Sequence, residues 1–196
     1  MFDRLSQRLT DRVAGRIAIV AGAVMAGTGA LYATRPDVDH TTVTTPVQHA
    51  VLALLAGILI LAVPATIALG RRAGTLLGRR AATVAVVGQL ALAATCTASN
   101  VNGADPGWFV VAAPLSNLLW GGGWVALAVA LWRSGAVSRG FAVGLPLCWI
   151  ALLPLSSFGG ALLAGGYWLA LGTLMAAGTL RRSRAHAART AAAVTA

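Results

Sequence analysis

Apolar residues follow one another along this chain in long stretches, separated by short segments that carry arginine. A membrane-spanning helix needs about 20 apolar residues in a row, and continuous runs favour helices over the alternating pattern of a barrel. Four stretches are each close to one span in length, and a fifth, without any charge, is about twice as long. They cover residues 17–33, 50–70, 81–99, 108–132 and 141–180.

The fifth stretch predicts two helices with a break between them. Proline and glycine interrupt it in the segment from Pro154 to Gly160, so we expect the break there. The fold predicted is therefore all-α: a polytopic membrane protein with six transmembrane helices that form three hairpins.

Outside the spans, the pattern predicts two flanking segments. In residues 1–16, apolar side chains recur at helical spacing with arginines on another face, which is typical of an amphipathic helix lying on a membrane surface. Residues 17–180 form the six-helix domain. Residues 181–196 are a basic tail that we expect to be disordered. The apolar positions that define the amphipathic pattern are Phe2, Leu5, Leu9 and Val13.

The arginines give the predicted bundle a direction. All fifteen basic residues are arginine, and with six spans fourteen of them fall on one side while Arg35 alone falls on the other. Cytoplasmic segments of membrane proteins carry an excess of positive charge. We therefore expect both termini to lie in the cytoplasm, with the chain in a bacterial cytoplasmic (inner) membrane.

Composition supports the membrane interpretation and excludes two other classes. Charged residues make up 10% of the chain and hydrophobic residues 58%, whereas a soluble domain has about 25% charged residues. The net charge of +10 does not indicate a nucleic-acid-binding protein, because no soluble basic domain is present. Cys96 and Cys148 lie in separate spans without CxxC spacing, which excludes a thiol-redox motif.

Acidic and histidine residues gather in the predicted outer loops. Carboxylates and imidazoles are the groups of metal sites and acid–base pairs, but no helical spacing fixes these residues relative to one another. We interpret them as a solvated loop, and expect no metal site and no cofactor. The weak catalytic candidates are Asp37, Asp39 and Asp105; His40 and His49 lie beside them.

Within the spans, polar residues predict a second kind of site. Gln89 and Asn117 lie at similar depths on the third and fourth helices, and buried amides prefer a partner to lipid. We favour a hydrogen bond between these two amides. The alternative is an outward-opening pocket between one face of each helix, lined by Gln89, Cys96, Asn100, Asn117 and Trp124. Small residues at four-residue spacing predict close helix packing at Ala23 and Gly27, or at Ala161 and Gly165.

No ionisable residue lies in the middle of a predicted span. This argues against ion pumps and proton-coupled carriers, which usually place such groups there. The function expected is that of a non-enzymatic small carrier, accessory subunit or structural subunit. Its partners are the lipid bilayer, a hydrophobic small molecule or other membrane subunits. The alternative is a membrane enzyme that acts on a lipid-like or terpenoid substrate through the outer carboxylates.

One loop and the layout around it carry a resemblance at the level of topology. With the segment Leu131-Trp132-Arg133-Ser134-Gly135-Ala136-Val137-Ser138-Arg139 between two apolar spans, the chain resembles uncharacterised six-helix integral membrane proteins of GC-rich bacteria. The resemblance implies six spans. It implies no activity, cofactor or catalytic residue.

Overall fold

A computed structural model describes residues 2–34, 43, 45–153, 155 and 159–180, with the side chains of residues 2–9 and 32–34 left out. These residues form six α-helices and no β-strand. The helices are α1 (Phe2–Thr34), α2 (Pro46–Arg72), α3 (Leu76–Asn102), α4 (Phe109–Ser134), α5 (Arg139–Leu152) and α6 (Gly160–Ala177). The all-α prediction is confirmed.

Five of these helices are long and apolar enough to cross a membrane: α2, α3, α4, α6 and the part of α1 from Thr10 to Leu31. The predicted break before Gly160 is present, but it leaves α5 with only 14 residues. That corresponds to about 21 Å of helix, against roughly 30 Å of hydrocarbon in a bilayer. The sequence predicts six helices of span length, whereas five of the described helices reach that length. The reason is that the break divides the apolar run of residues 141–180 unequally.

Local sequence signals account for the helix boundaries. Thr75 caps α3, its Oγ1 accepting a hydrogen bond from Gly78 N at 3.1 Å, and Ser138 caps α5 in the same way. Both side chains satisfy an N–H that has no partner within the helix. Glycines in the left-handed conformation follow the C-termini of α3, α4 and α6, at Gly103, Gly135 and Gly178.

The helices pack as a closed ring. Each contacts its neighbours in the chain, and α1 also packs along α6. An ion pair between Asp11 near the start of α1 and Arg72 at the end of α2, with Nη2 and Oδ2 3.0 Å apart, shows that these two helices are antiparallel. We call this end of the bundle the arginine-rich end. It carries Arg12, Arg16, Arg71, Arg72, Arg79, Arg80, Arg133 and Arg139. The division into three hairpins stays a prediction.

The α1/α6 seam is built on glycine. Gly15, Gly22 and Gly29 recur every seven residues and face α6, where a Cβ on Gly22 would lie 2.6 Å from Leu169 N and 2.8 Å from Gly165 O. Any side chain here would separate the two backbones. The predicted close contact at Ala161 and Gly165 is thus confirmed.

The predicted contact at Ala23 and Gly27 is wrong. Both residues are exposed, and a Cβ on Gly27 would meet nothing within 4 Å. The glycines that do face α6 lie at positions 22 and 29, on a different face of α1.

The boundary predicted after residue 16 does not interrupt the helix. α1 continues through it, Ala14 is 3% exposed and Gly15 lies against α6. Ala14 and Gly15 thus pack within the bundle. The tail of residues 181–196 lies outside the described residues.

Large apolar side chains on the outside of the ring fit a lipid environment. Val110, Val111, Leu118 and Leu163 are each at least two-thirds exposed, and apolar surface of this extent is rare on soluble monomers. In the interior, Trp124, Trp168, Leu127 and Leu171 are fully buried.

Candidate functional site

The predicted outer cluster is only partly within the described residues. Asp37, Asp39 and His40 lie outside them. Asp105 is exposed in the turn between α3 and α4, and His49 is exposed in the first turn of α2.

His49 instead joins two helices. Its Nδ1 lies 2.6 Å from Asn100 Oδ1 in α3. An amide oxygen only accepts, so His49 donates in this arrangement. Beside this contact, Val43 N donates to Gly103 O at 3.0 Å. These bonds hold the start of α2 against the end of α3, and one of them uses the amide oxygen of Asn100, a predicted pocket residue.

The predicted hydrogen bond between Gln89 and Asn117 is wrong. Asn117 Nδ2 donates to Ala113 O in its own helix at 3.0 Å, and the buried Nε2 and Oε1 atoms of Gln89 have no partner in the described part of the chain. The two amides do lie at similar depths, since Gly88 packs against the backbone of Ser116 and Trp120. However, Gly88 is the residue that faces α4. Gln89 is the next residue along α3, so its side chain projects in a different direction around the helix axis.

The remaining predicted pocket residues differ in burial. Gln89 and Trp124 are each 0% exposed, whereas Cys96 is a half-buried free thiol. Asn117 is half-buried. Among the described residues, no hydrogen bond joins any two of the five predicted pocket residues.

Aromatic rings from three helices fill the bundle interior. The ring centroid of Trp124 lies 4.9 Å from that of Trp120 and 5.7 Å from that of Trp168 in α6. Tyr167 continues the series between Trp168 and Phe141 of α5. The hydroxyl of Tyr167 donates to Phe141 O at 2.8 Å, so its polar end is satisfied.

The indole N–H groups of this interior are not satisfied. Among the residues that the structure describes, no hydrogen-bond partner reaches the buried Nε1 atoms of Trp120, Trp124, Trp149 and Trp168, nor Asn117 Oδ1 and Ser99 Oγ. Buried Trp N–H groups usually find an acceptor, and an orphaned polar group costs about 1–3 kcal/mol. We group Gln89, Asn117, Trp120, Trp124 and Trp168 by the buried, unpartnered polar atoms that they share among the described residues, and call this set the interior site.

Sequence reasoning missed Trp120, Trp149 and Trp168 as members of a polar interior. Their position along the helices could have indicated this role. Tryptophan in membrane helices concentrates at the two interfaces, so a tryptophan away from an interface needs another explanation. Trp108 and Trp132 follow that rule near the ends of α4, while Trp120 lies at the middle of the same helix.

The interior site is uncharged. The buried polar side chains that the structure describes are Thr28, Thr66, Gln89, Thr95, Ser99 and Ser116, none of them charged. Donors outnumber acceptors among the orphaned groups, so the arrangement favours an acceptor-bearing guest. Comparison of the chain with protein-family models, with curated proteins and with solved structures finds no match.

Proposed function

We propose that this chain is a non-catalytic, small carrier-type membrane protein whose interior site holds a small neutral solute with hydrogen-bond acceptors. The observation that carries the proposal is Gln89, which is 0% exposed and whose amide nitrogen and oxygen have no hydrogen-bond partner among the described residues. A guest carrying a carbonyl or hydroxyl oxygen would accept from the Gln89 amide.

We expect the guest to be neutral because the described part of the interior offers no charge that could pair with an ion. No buried residue among those described carries a charge, and an unpaired ion in an apolar interior is strongly disfavoured. The proposal also includes the membrane topology of the protein. We propose six crossings of a bacterial inner membrane, with the arginine-rich end in the cytoplasm. The enzyme alternative has less support, because Asp105 is exposed to solvent.

Solute permeation through reconstituted protein tests the proposal. Liposomes containing the protein are mixed with hyperosmotic glycerol or urea, and their re-swelling is followed by stopped-flow light scattering. We expect faster re-swelling than in protein-free liposomes, and loss of the difference in Gln89→Leu. Asn102→Leu is the matched control, since it removes an exposed amide from the same helix.

Two results would contradict the carrier proposal. One is equal re-swelling of liposomes with and without the wild-type protein. The other is full solute permeation in liposomes that contain Gln89→Leu, which would show that the buried amide is not needed for permeation.

A further inference from the structure

A second feature lies at the arginine-rich end, on the outside of the ring. Between α4 and α5 the surface forms an open groove of about 370 Å³. Val125, Ala128, Val129 and Trp132 line it from α4 at helical spacing, and Ala142, Val143 and Pro146 line it from α5. The groove extends about 10 Å along α4, and apart from Arg133 its lining residues are apolar.

The two arginines at the end of this groove are placed for an anion. Arg133 belongs to the lining and is exposed. Arg139, the first residue of α5, places its guanidinium carbon 5.2 Å from the centroid of the Trp132 ring. Stacking uses the flat face of a guanidinium and leaves the N–H groups at its edge available to oxyanions.

No acidic side chain in the described part of the chain neutralises this pair. Of the aspartates whose side chains are described, Asp11 pairs with Arg72, and Asp105 lies in the turn after α3, at the other end of the bundle. The positive charge at the groove therefore remains available to an outside partner.

We propose that the groove binds one anionic glycerophospholipid, with an acyl chain between α4 and α5 and the phosphate at Arg133 and Arg139. Charge complementarity and the apolar lining below the arginines identify this occupant, since it has an anionic head and an apolar chain. Trp132, which is 45% exposed, lies at the junction of the two parts, where an amphipathic ring is favoured. This lipid site is separate from the interior site and does not depend on the proposed carrier function.

The test is lipid retention by the purified protein in mild detergent, measured by native mass spectrometry during titration with phosphatidylglycerol or phosphatidylcholine. We expect one phosphatidylglycerol to bind more tightly than phosphatidylcholine. Each arginine near a headgroup contributes roughly a fivefold gain in affinity. The double variant Arg133→Gln/Arg139→Gln should therefore lose most of the selectivity, and the control Arg79→Gln/Arg80→Gln should retain it.

A second pair of variants tests the apolar part of the groove without changing charge. Val129 and Val84 are both 40% exposed on membrane helices, but only Val129 lines the groove. We expect Val129→Phe to weaken phosphatidylglycerol retention and Val84→Phe to leave it unchanged. The proposal is overturned if the wild type retains both lipids equally, if both arginine pairs lose binding equally, or if Val129→Phe binds as well as Val84→Phe.

Discussion

Gln89 differs from the hydroxyl residues around it in how its polar atoms are satisfied. Thr66 and Ser116 donate to carbonyls one turn back, at Ala62 and Ala112, and Thr95 donates to Leu92 O. Short side chains can bond to their own helix in this way. The amide of Gln89 and the indoles of the interior site make no such bond, so they require a partner from elsewhere. This distinction separates packing residues from candidate binding residues.

At this scale the first prediction concerns the stability of Gln89→Leu. Leucine is close in size and brings no orphaned donor or acceptor into the interior. In the absence of solute, the variant should therefore be more stable than wild type by about 1–3 kcal/mol. The measurement is the free energy of unfolding in mixed micelles, followed by circular dichroism. A marked loss of stability would show that the amide has a structural partner in the empty protein.

A second residue-scale prediction concerns Gln89 and Asn117 together. Because Asn117 bonds to Ala113 O in its own helix, the two amides do not share a hydrogen bond. The effects of Gln89→Leu and Asn117→Leu on unfolding free energy should add to within about 0.5 kcal/mol. A coupling well above that value would indicate that the two side chains do interact.

At the scale of the helix, the close approach of neighbouring helices at glycine residues determines how the bundle packs. Gly165 and Gly172 of α6 face the backbone of α1 as closely as Gly15 and Gly22 face α6. On α4, Gly121 instead makes room for a ring: a Cβ there would lie 2.5 Å from Trp149 Cε2 of α5. The same residue type therefore serves backbone contact in one seam and aromatic packing in another.

The α1/α6 seam gives a matched pair of substitutions. Gly22→Ala would place a methyl group 2.6 Å from Leu169 N, which should lower the unfolding free energy by about 1–3 kcal/mol. Gly27→Ala meets open space. It should be neutral or stabilising by up to about 1 kcal/mol, because alanine favours a helix over glycine. Thermal unfolding in detergent compares the two, and equal effects would contradict the assigned seam.

The number of helices could be predicted from the sequence, but their contacts could not. Runs of apolar residues and the break before Gly160 gave six helices, because length and charge determine what a bilayer accepts. The helix faces were harder to assign. Apolar residues surround each helix, so the periodicity that marks a buried face in soluble proteins is weak. The spacing of small residues therefore indicates a contact at Gly27 although Gly22 faces α6, and the depth of the amides pairs Gln89 with Asn117 although Gly88 faces α4.

At the scale of the whole molecule, the ring closes between its first and last helices. Gly15, in the first half of α1, packs against Ala176 near the end of α6, and the Asp11–Arg72 ion pair lies toward the same end of the bundle. α5, with its 14 residues, lies between two helices of span length. The interior site is enclosed by this ring, while the lipid groove opens on its outer surface beside the short helix.

The last prediction concerns the orientation of this ring in the membrane. Fourteen of the fifteen arginines belong to segments expected on one side, and arginine favours the cytoplasmic side. A reporter fused after Ala196 and one inserted at Gly135 should therefore both be active in the cytoplasm. A reporter inserted near Asp105 should be active outside. The fusion after Ala196 is the decisive one, because α5 is shorter than a normal span. If α5 failed to cross, the tail reporter would be active outside while the Gly135 reporter stayed inside, and the six-span topology would be wrong. If the reporters at Asp105 and Gly135 were active on the same side, α4 would not cross the membrane, and the six-span topology would be wrong for that reason.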